Sequence, residues 1–179
     1  MKARKVTQEQ LYDLIDPSHR EGVIDTSKLK WDVAVLVPDC SSEKNRFTRS
    51  VSQYVDDRKK KASFLLTIGL LFEAIQDENY QAVLAGSAVA CKSARTFKFD
   101  KSNHKLWELK PNNKDRIYFY PVTDLESPAR KTIFLLMAYH KKDETTPAEA
   151  ADPCEEEIRN ILKSRGKIDF CEVKNGKKQ

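Results

Sequence analysis

The chain has 179 residues, 40% hydrophobic and 33% charged, with a formal net charge of +5. That balance fits one globular domain of ordinary size, with or without extensions, and excludes wholesale disorder and a histone-like tail protein. No apolar run approaches the ~18–20 residues of a membrane span, and the basic N-terminus lacks the apolar stretch of a secretory signal. The expectation is a soluble, cytoplasmic protein without membrane contact.

Residues 1–30 are polar, with one short amphipathic piece at 8–16 (Leu11, Leu14 and Ile15 at helical spacing) that Pro17 ends. They read as an N-terminal arm. The string WDVAVLV at 31–37 is rich in β-branched residues and bounded by Pro38-Asp39, which is the pattern of a buried strand. Ser41 and Ser42 then precede a run to Asp57 with Phe47, Val51, Tyr54 and Val55 on one helical face, so serine is the expected cap. A four-charge run at 58–61 leads into Phe64, Leu65, Ile68, Leu71, Phe72 and Ile75, again at the 3.6-residue period. The two segments read as a helical hairpin hinged near Asp56-Asp57.

The segment 81–104 is rich in small residues and fits helix, loop or strand, with 96–99 the most strand-like part. KLWELK at 105–110, RIYFYPV at 116–122 and TIFLLMAYH at 132–140 are strand-like and separated by turn residues, which suits an antiparallel meander. The last of them is apolar on both faces and belongs inside the sheet. Thr146-Pro147-Ala148-Glu149 has the form of a capping box, starting a helix that meets Pro153 and stops near Gly166. Residues 166–179 form a basic tail with a short strand expected at 168–173. The core domain is thus expected over 31–165.

Cysteines stand at 40, 91, 154 and 171, without a CxxC pair or a histidine at ligand spacing. Four reduced thiols and no metal site or cofactor are expected. Within 98–142, ten lysines and arginines face five acids, a surplus equal to the whole formal excess of the chain. The C-terminal tail is also basic. Such asymmetry suits a nucleic-acid or phosphate partner, and equally a solvated lysine-rich strand surface.

The strings LWELK (106–110), RIYFY (116–120) and IFLLMAYHKK (133–142), followed by Thr146-Pro147, together resemble the RelE/HigB toxin superfamily, in particular its phage-derived HigB-like branch. The order and spacing of the three strands and the helix after them carry the resemblance, which covers about residues 31–165. It departs from the pattern at Lys110, where arginine is usual, and at Ala138-Tyr139-His140, where a small glycine step is usual. The fold implied is α+β: β-α-α-β-β-β-α, an antiparallel-rich sheet packed on helices, here with the arm and the tail added. The function implied is that of a type II toxin–antitoxin toxin, a metal-independent, ribosome-dependent mRNA endonuclease that inhibits translation. The partners implied are mRNA, the ribosome and a cognate antitoxin, often a helix-turn-helix protein. Two alternatives stay open: a non-nucleolytic ParE-like toxin, and an interaction module on the same fold.

Metal-free RNA cleavage uses the ribose 2′-OH as nucleophile, so the site must move protons and stabilise an over-charged phosphorane. Arg116 suits the phosphate because its planar fork grips two oxygens; an ion pair with Asp115 or Glu108 is its structural alternative. Lys110 is expected to act as a base or a phosphate contact, with crowding among cations lowering its pKa. Lys141 and Lys142 end the last strand, one facing the site and one solvent. His140 is a general acid or base, or else a rim histidine in phase with Phe134, Leu136 and Ala138. Tyr118 and Tyr139 are candidates for stacking on bases, and Lys105 and Lys114 for binding RNA.

Overall fold

The computed structural model describes residues 1–125, 131–142, 147–164 and 167–171. In chain order it contains β1 (Lys2–Lys5), α1 (Gln8–Asp13), β2 (Asp32–Val37), α2 (Arg46–Tyr54), α3 (Arg58–Ala74), α4 (Tyr80–Ala85), β3 (Ala90–Phe99), β4 (Ser102–Lys110), β5 (Asp115–Val122), β6 (Thr132–His140), α5 (Ala148–Lys163) and β7 (Asp169–Phe170). The class is α+β, with one mostly antiparallel seven-stranded sheet in the order β3-β4-β5-β6-β2-β1-β7.

The sheet buries both faces. On one side Val33, Val35, Ile117, Phe119, Ile133 and Leu135 pack under α2 and α3 through Phe47, Val51, Phe64, Ile68 and Leu71. On the other, Ala34, Leu106, Tyr118, Tyr120, Phe134 and Leu136 pack under α5 through Ala150, Cys154, Ile158 and Ile161. The two layers explain why β6 is apolar on alternate residues of both kinds: it lies between β5 and β2 and has helices above and below. Between Tyr118 and Phe119 the β5–β6 register slips, so that Leu136 and Met137 both oppose the α5 layer and the phase of β6 changes beyond them.

Several local expectations give way to better partners. The cap of α2 is Asn45, whose side chain accepts from the Thr48 amide at 3.0 Å while Thr48 returns a bond to Asn45, and neither Ser41 nor Ser42 fills that role. α2 and α3 break at the hinge expected near Asp56-Asp57, where Asp57 caps α3 by accepting from the Lys60 amide. The small-residue segment resolves into α4 and then a long β3–β4 hairpin, turned by Asp100 and Lys101 at φ 45° and 64°. Both central residues at positive φ make the type I′ turn whose twist suits a two-residue hairpin. α5 runs through Pro153 without restarting. Its expected capping residue, Thr146, and its expected stop, Gly166, lie outside the described residues.

Residues 1–30 are not an appended arm. β1 pairs antiparallel with β2 and buries Ala3, while α1 sends Leu11 and Tyr12 into the helical core. Gln8, buried, donates to Tyr12 Oη at 2.8 Å and to the Gly22 carbonyl at 3.0 Å and accepts from the Ile24 amide, tying the following loop down. Tyr12 approaches α3 at Gly69, where an added Cβ would stand 3.0 Å from the tyrosine oxygen.

The thiols also depart from expectation. Cys40 and Cys171 form a disulfide across a sequence separation of 131, leaving Cys91 and Cys154 free. Distance in sequence hid the pair. β7 lies parallel to β1, with the Cys171 amide donating to the Ala3 carbonyl, and this brings Cys171 beside the loop that follows β2.

Candidate functional site

In an antiparallel meander the end of one strand meets the start of the next. Lys110 closes β4, Asp115 opens β5 and His140 closes β6, so all three reach the same end of the sheet. Asp115 pairs with His140 and Arg116 with Tyr139, and the Lys141 amide donates to the Lys114 carbonyl at 2.9 Å. Lys110, Lys114, Arg116, His140, Lys141 and Lys142 therefore gather around one rim.

They do not share one face. Asp115 and His140 lie toward α3. His140 Nδ1 is 2.7 Å from Asp115 Oδ1. Asn112 Nδ2 donates to Asp115 Oδ2 at 2.7 Å and to Ser63 Oγ, on α3, at 3.1 Å. Burial raises the Asp115 carboxyl, but hydrogen bonds from Asn112, His140 and Ser63 more than offset it, so its pKa is lowered. A carboxylate held ionised in this way fixes the imidazole with Nδ1–H turned inward. That leaves Nε2, which has no hydrogen-bond partner among the described residues, toward the rim. The His140 side chain is 30% exposed, enough for a substrate hydroxyl to reach it.

Arg116 faces the α5 side and is only 4% exposed. Its Nε donates to Glu108 at 3.1 Å, Nη1 to the carbonyls of Asn112 and Asp115, both at 2.7 Å, and Nη2 to the Asn113 carbonyl at 3.0 Å. The fork expected to hold phosphate thus grips the loop between β4 and β5. Glu108 is the partner that the ion-pair alternative named. Lys141 is 4% exposed beside the same group. Burial pushes its pKa down; Glu108 opposes that shift, and Arg116 and Lys110 add to it. Buried beside Glu108, Arg116 and Lys110, the Lys141 ammonium holds its proton less firmly than an exposed lysine does.

Lys114 and Lys142 are exposed, and Lys110 is half-buried. Tyr118 is fully enclosed under α5, so its ring offers no face to a base. Tyr139 is 4% exposed; its hydroxyl donates to Glu149 and its ring packs 4.7 Å from Tyr54. Both tyrosines serve the core in this arrangement. Lys105 lies five residues before Lys110, about 17 Å along the strand, with its ammonium 5.6 Å from the centre of the Trp107 ring. It stands apart from the rim.

Asp115, Asn112 and Ser63 complete the histidine's surroundings and were not singled out as site residues by sequence reasoning. The one available signal was Asn112 itself: its Oδ1 accepts from the amides of Lys114 and Asp115, the turn chemistry that Pro-Asn-Asn implies. The 58–61 charge run starts the same helix as Ser63, and Lys60 is engaged by Asp56 at 2.7 Å and Asp57 at 3.3 Å. Among the described residues no group of three or more His, Cys, Asp or Glu is placed to hold a metal ion, and no helix is long and apolar enough to cross a membrane. No family model matches the chain, and no curated protein or solved structure matches it.

Proposed function

We propose that the chain is a toxin of a type II toxin–antitoxin system that cleaves mRNA on the ribosome without a metal. The observation that carries this reading is the His140–Asp115 pair at a rim shared with Lys110, Lys114 and Lys142. His140 Nε2 takes the proton of a ribose 2′-OH as the oxygen attacks the adjacent phosphorus. Lys114 and Lys142 offset the charge that builds on the phosphorane oxygens. Arg116 acts at one remove, by holding the carbonyls on either side of the Lys114 turn. Lys141 takes the acid's part: its ammonium gives a proton to the 5′-oxygen as the bond from phosphorus to that oxygen breaks. The order of β2, α2, α3, β4, β5, β6 and α5 supports the RelE/HigB-like assignment, with β1, α1, α4, β3 and β7 as additions to it.

The resemblance supplies the ribosome, the cytoplasmic setting and a helix-turn-helix antitoxin as partners. The test is to incubate the full chain with translating ribosomes and map mRNA 5′ ends. Discrete new ends are expected with the wild-type chain, and a loss of roughly 100-fold or more in cutting with His140→Ala, the scale of general acid–base catalysis. Intact mRNA with wild-type protein, together with growth arrest on induction, would instead select the ParE-like alternative.

A further inference from the structure

β2 and β6 are the parallel pair at the middle of the sheet, matched from Asp32↔Thr132 to Val35↔Leu135. Beyond that point they part. The chain leaving β2 enters α2 on one face, and the chain leaving β6 returns as α5 on the other. Parallel neighbours whose following helices go to opposite faces open a crevice at their carboxyl ends, and open α/β sheets bind ligands in such crevices. Here α2 enters the gap from one side: Ser50 Oγ accepts from the Ala138 amide at 2.8 Å, where β2 no longer reaches β6. What remains is a cleft of about 590 Å³, within the range of small-molecule sites.

We propose that this crevice binds a small, hydroxyl-bearing phosphate ester, with Arg46, Arg49 and Lys2 on its anion and Glu157 and Asn160 on its hydroxyls. The walls are of opposite kinds. Arg46 and Arg49 project from α2 one turn apart, and Lys2 comes from β1. Arg46 spends Nε on Glu157 Oε1 at 2.9 Å and has no other partner among the described residues, so the rest of its fork is available. Arg49 makes no ion pair or side-chain hydrogen bond to any described residue. Guanidinium forks at this spacing suit the several oxygens of a phosphate. The facing wall, on α5, presents Glu157 and Asn160, which accept hydrogen bonds from hydroxyl groups. Leu36, Pro38 and Met137 give the floor an apolar surface for a carbon skeleton. A phosphate alone would leave the α5 wall unused, and an uncharged polyol would leave the arginines unused.

The proposal is independent of the RNA-cleaving reading, because His140 lies outside this crevice. Calorimetric titration of the full chain with ribose 5-phosphate tests it, using ribose and inorganic phosphate as controls. Saturable binding of ribose 5-phosphate is expected, tighter than that of inorganic phosphate, with none of ribose. Arg49→Ala should weaken it roughly tenfold or more, the scale of one charge-assisted contact. Asn160→Ala should weaken ribose 5-phosphate but leave inorganic phosphate unchanged, and His140→Ala should bind as wild type does. No saturable binding, equal binding of ribose, equal or tighter binding of inorganic phosphate, or an undiminished affinity in a folded Arg49→Ala protein would each overturn the proposal.

Discussion

Arg116 carries more structure than its place in a motif suggests. Its removal leaves Glu108 as a buried charge without its cation and frees the carbonyls of Asn112 and Asn113. Arg116→Ala is therefore expected to destabilise the protein by about 3–5 kcal/mol, the usual consequence of breaking a buried pair, measured by urea unfolding. A lost activity in that variant reports folding, so His140→Ala is the cleaner probe of chemistry. Asp115→Asn should also cut activity, because an amide can present N–H to Nδ1 and favour the wrong imidazole tautomer. Glu157 predicts a pH effect of its own. Burial raises its carboxyl to about 7, with Arg46 opposing and Glu156 assisting. The raised value means the folded state holds the proton longer than the unfolded chain does. Its stabilising contribution is then complete below pH ~4.5 and is lost as pH rises through about 7. Glu157→Gln should flatten that decline, by on the order of 2 kcal/mol between pH 5 and 8, in unfolding curves taken across the range.

The elements that sequence showed best were those with long, regular apolar patterns. β2, α3, β5 and β6 fall within a residue or two of their expected bounds, because burial on a layer imposes the period directly. β1 was illegible: Lys-Ala-Arg-Lys has one apolar residue, and only its pairing with β2 makes it a strand. The β3–β4 hairpin was half-seen because its turn uses Asp100-Lys101 where an Asn-Gly pair would have announced it. The cation rim was legible as three neighbouring strands ending together. Which face each side chain takes was not, since the slip beside Met137 moves His140 out of phase with Phe134 and Leu136. At α5, Pro153 sits inside the helix and cannot donate to the Glu149 carbonyl. Pro153→Ala is expected to raise the melting temperature by a few degrees, the equivalent of roughly 1 kcal/mol, with no effect on the proposed RNA cleavage.

Across the whole molecule, β1 and β7 bring residues far apart in sequence together at one edge of the sheet. β7 contributes two residues to that edge, and the Cys40–Cys171 bond joins it to the loop after β2. A closure this long is expected to contribute about 2–4 kcal/mol, so Cys171→Ser should lower the urea midpoint by that equivalent. Under denaturing, non-reducing conditions two thiols should react with a thiol reagent, Cys91 and Cys154; four would mean the bridge does not form in the purified protein. The bridge also bears on where the protein works, since such bonds persist in oxidising surroundings and a cytoplasmic toxin would meet a reducing pool.

The same bond decides how the molecule answers to force. A pull on the C-terminal end would peel a two-residue strand away almost without resistance if that strand stood alone. With sulfur joined to sulfur, the load passes instead to the foot of β2, a strand braced by a neighbour on each side. A machine that unravels substrates from that end must then drag a closed loop through its pore or stall, and reducing agent should convert the stall into rapid unfolding.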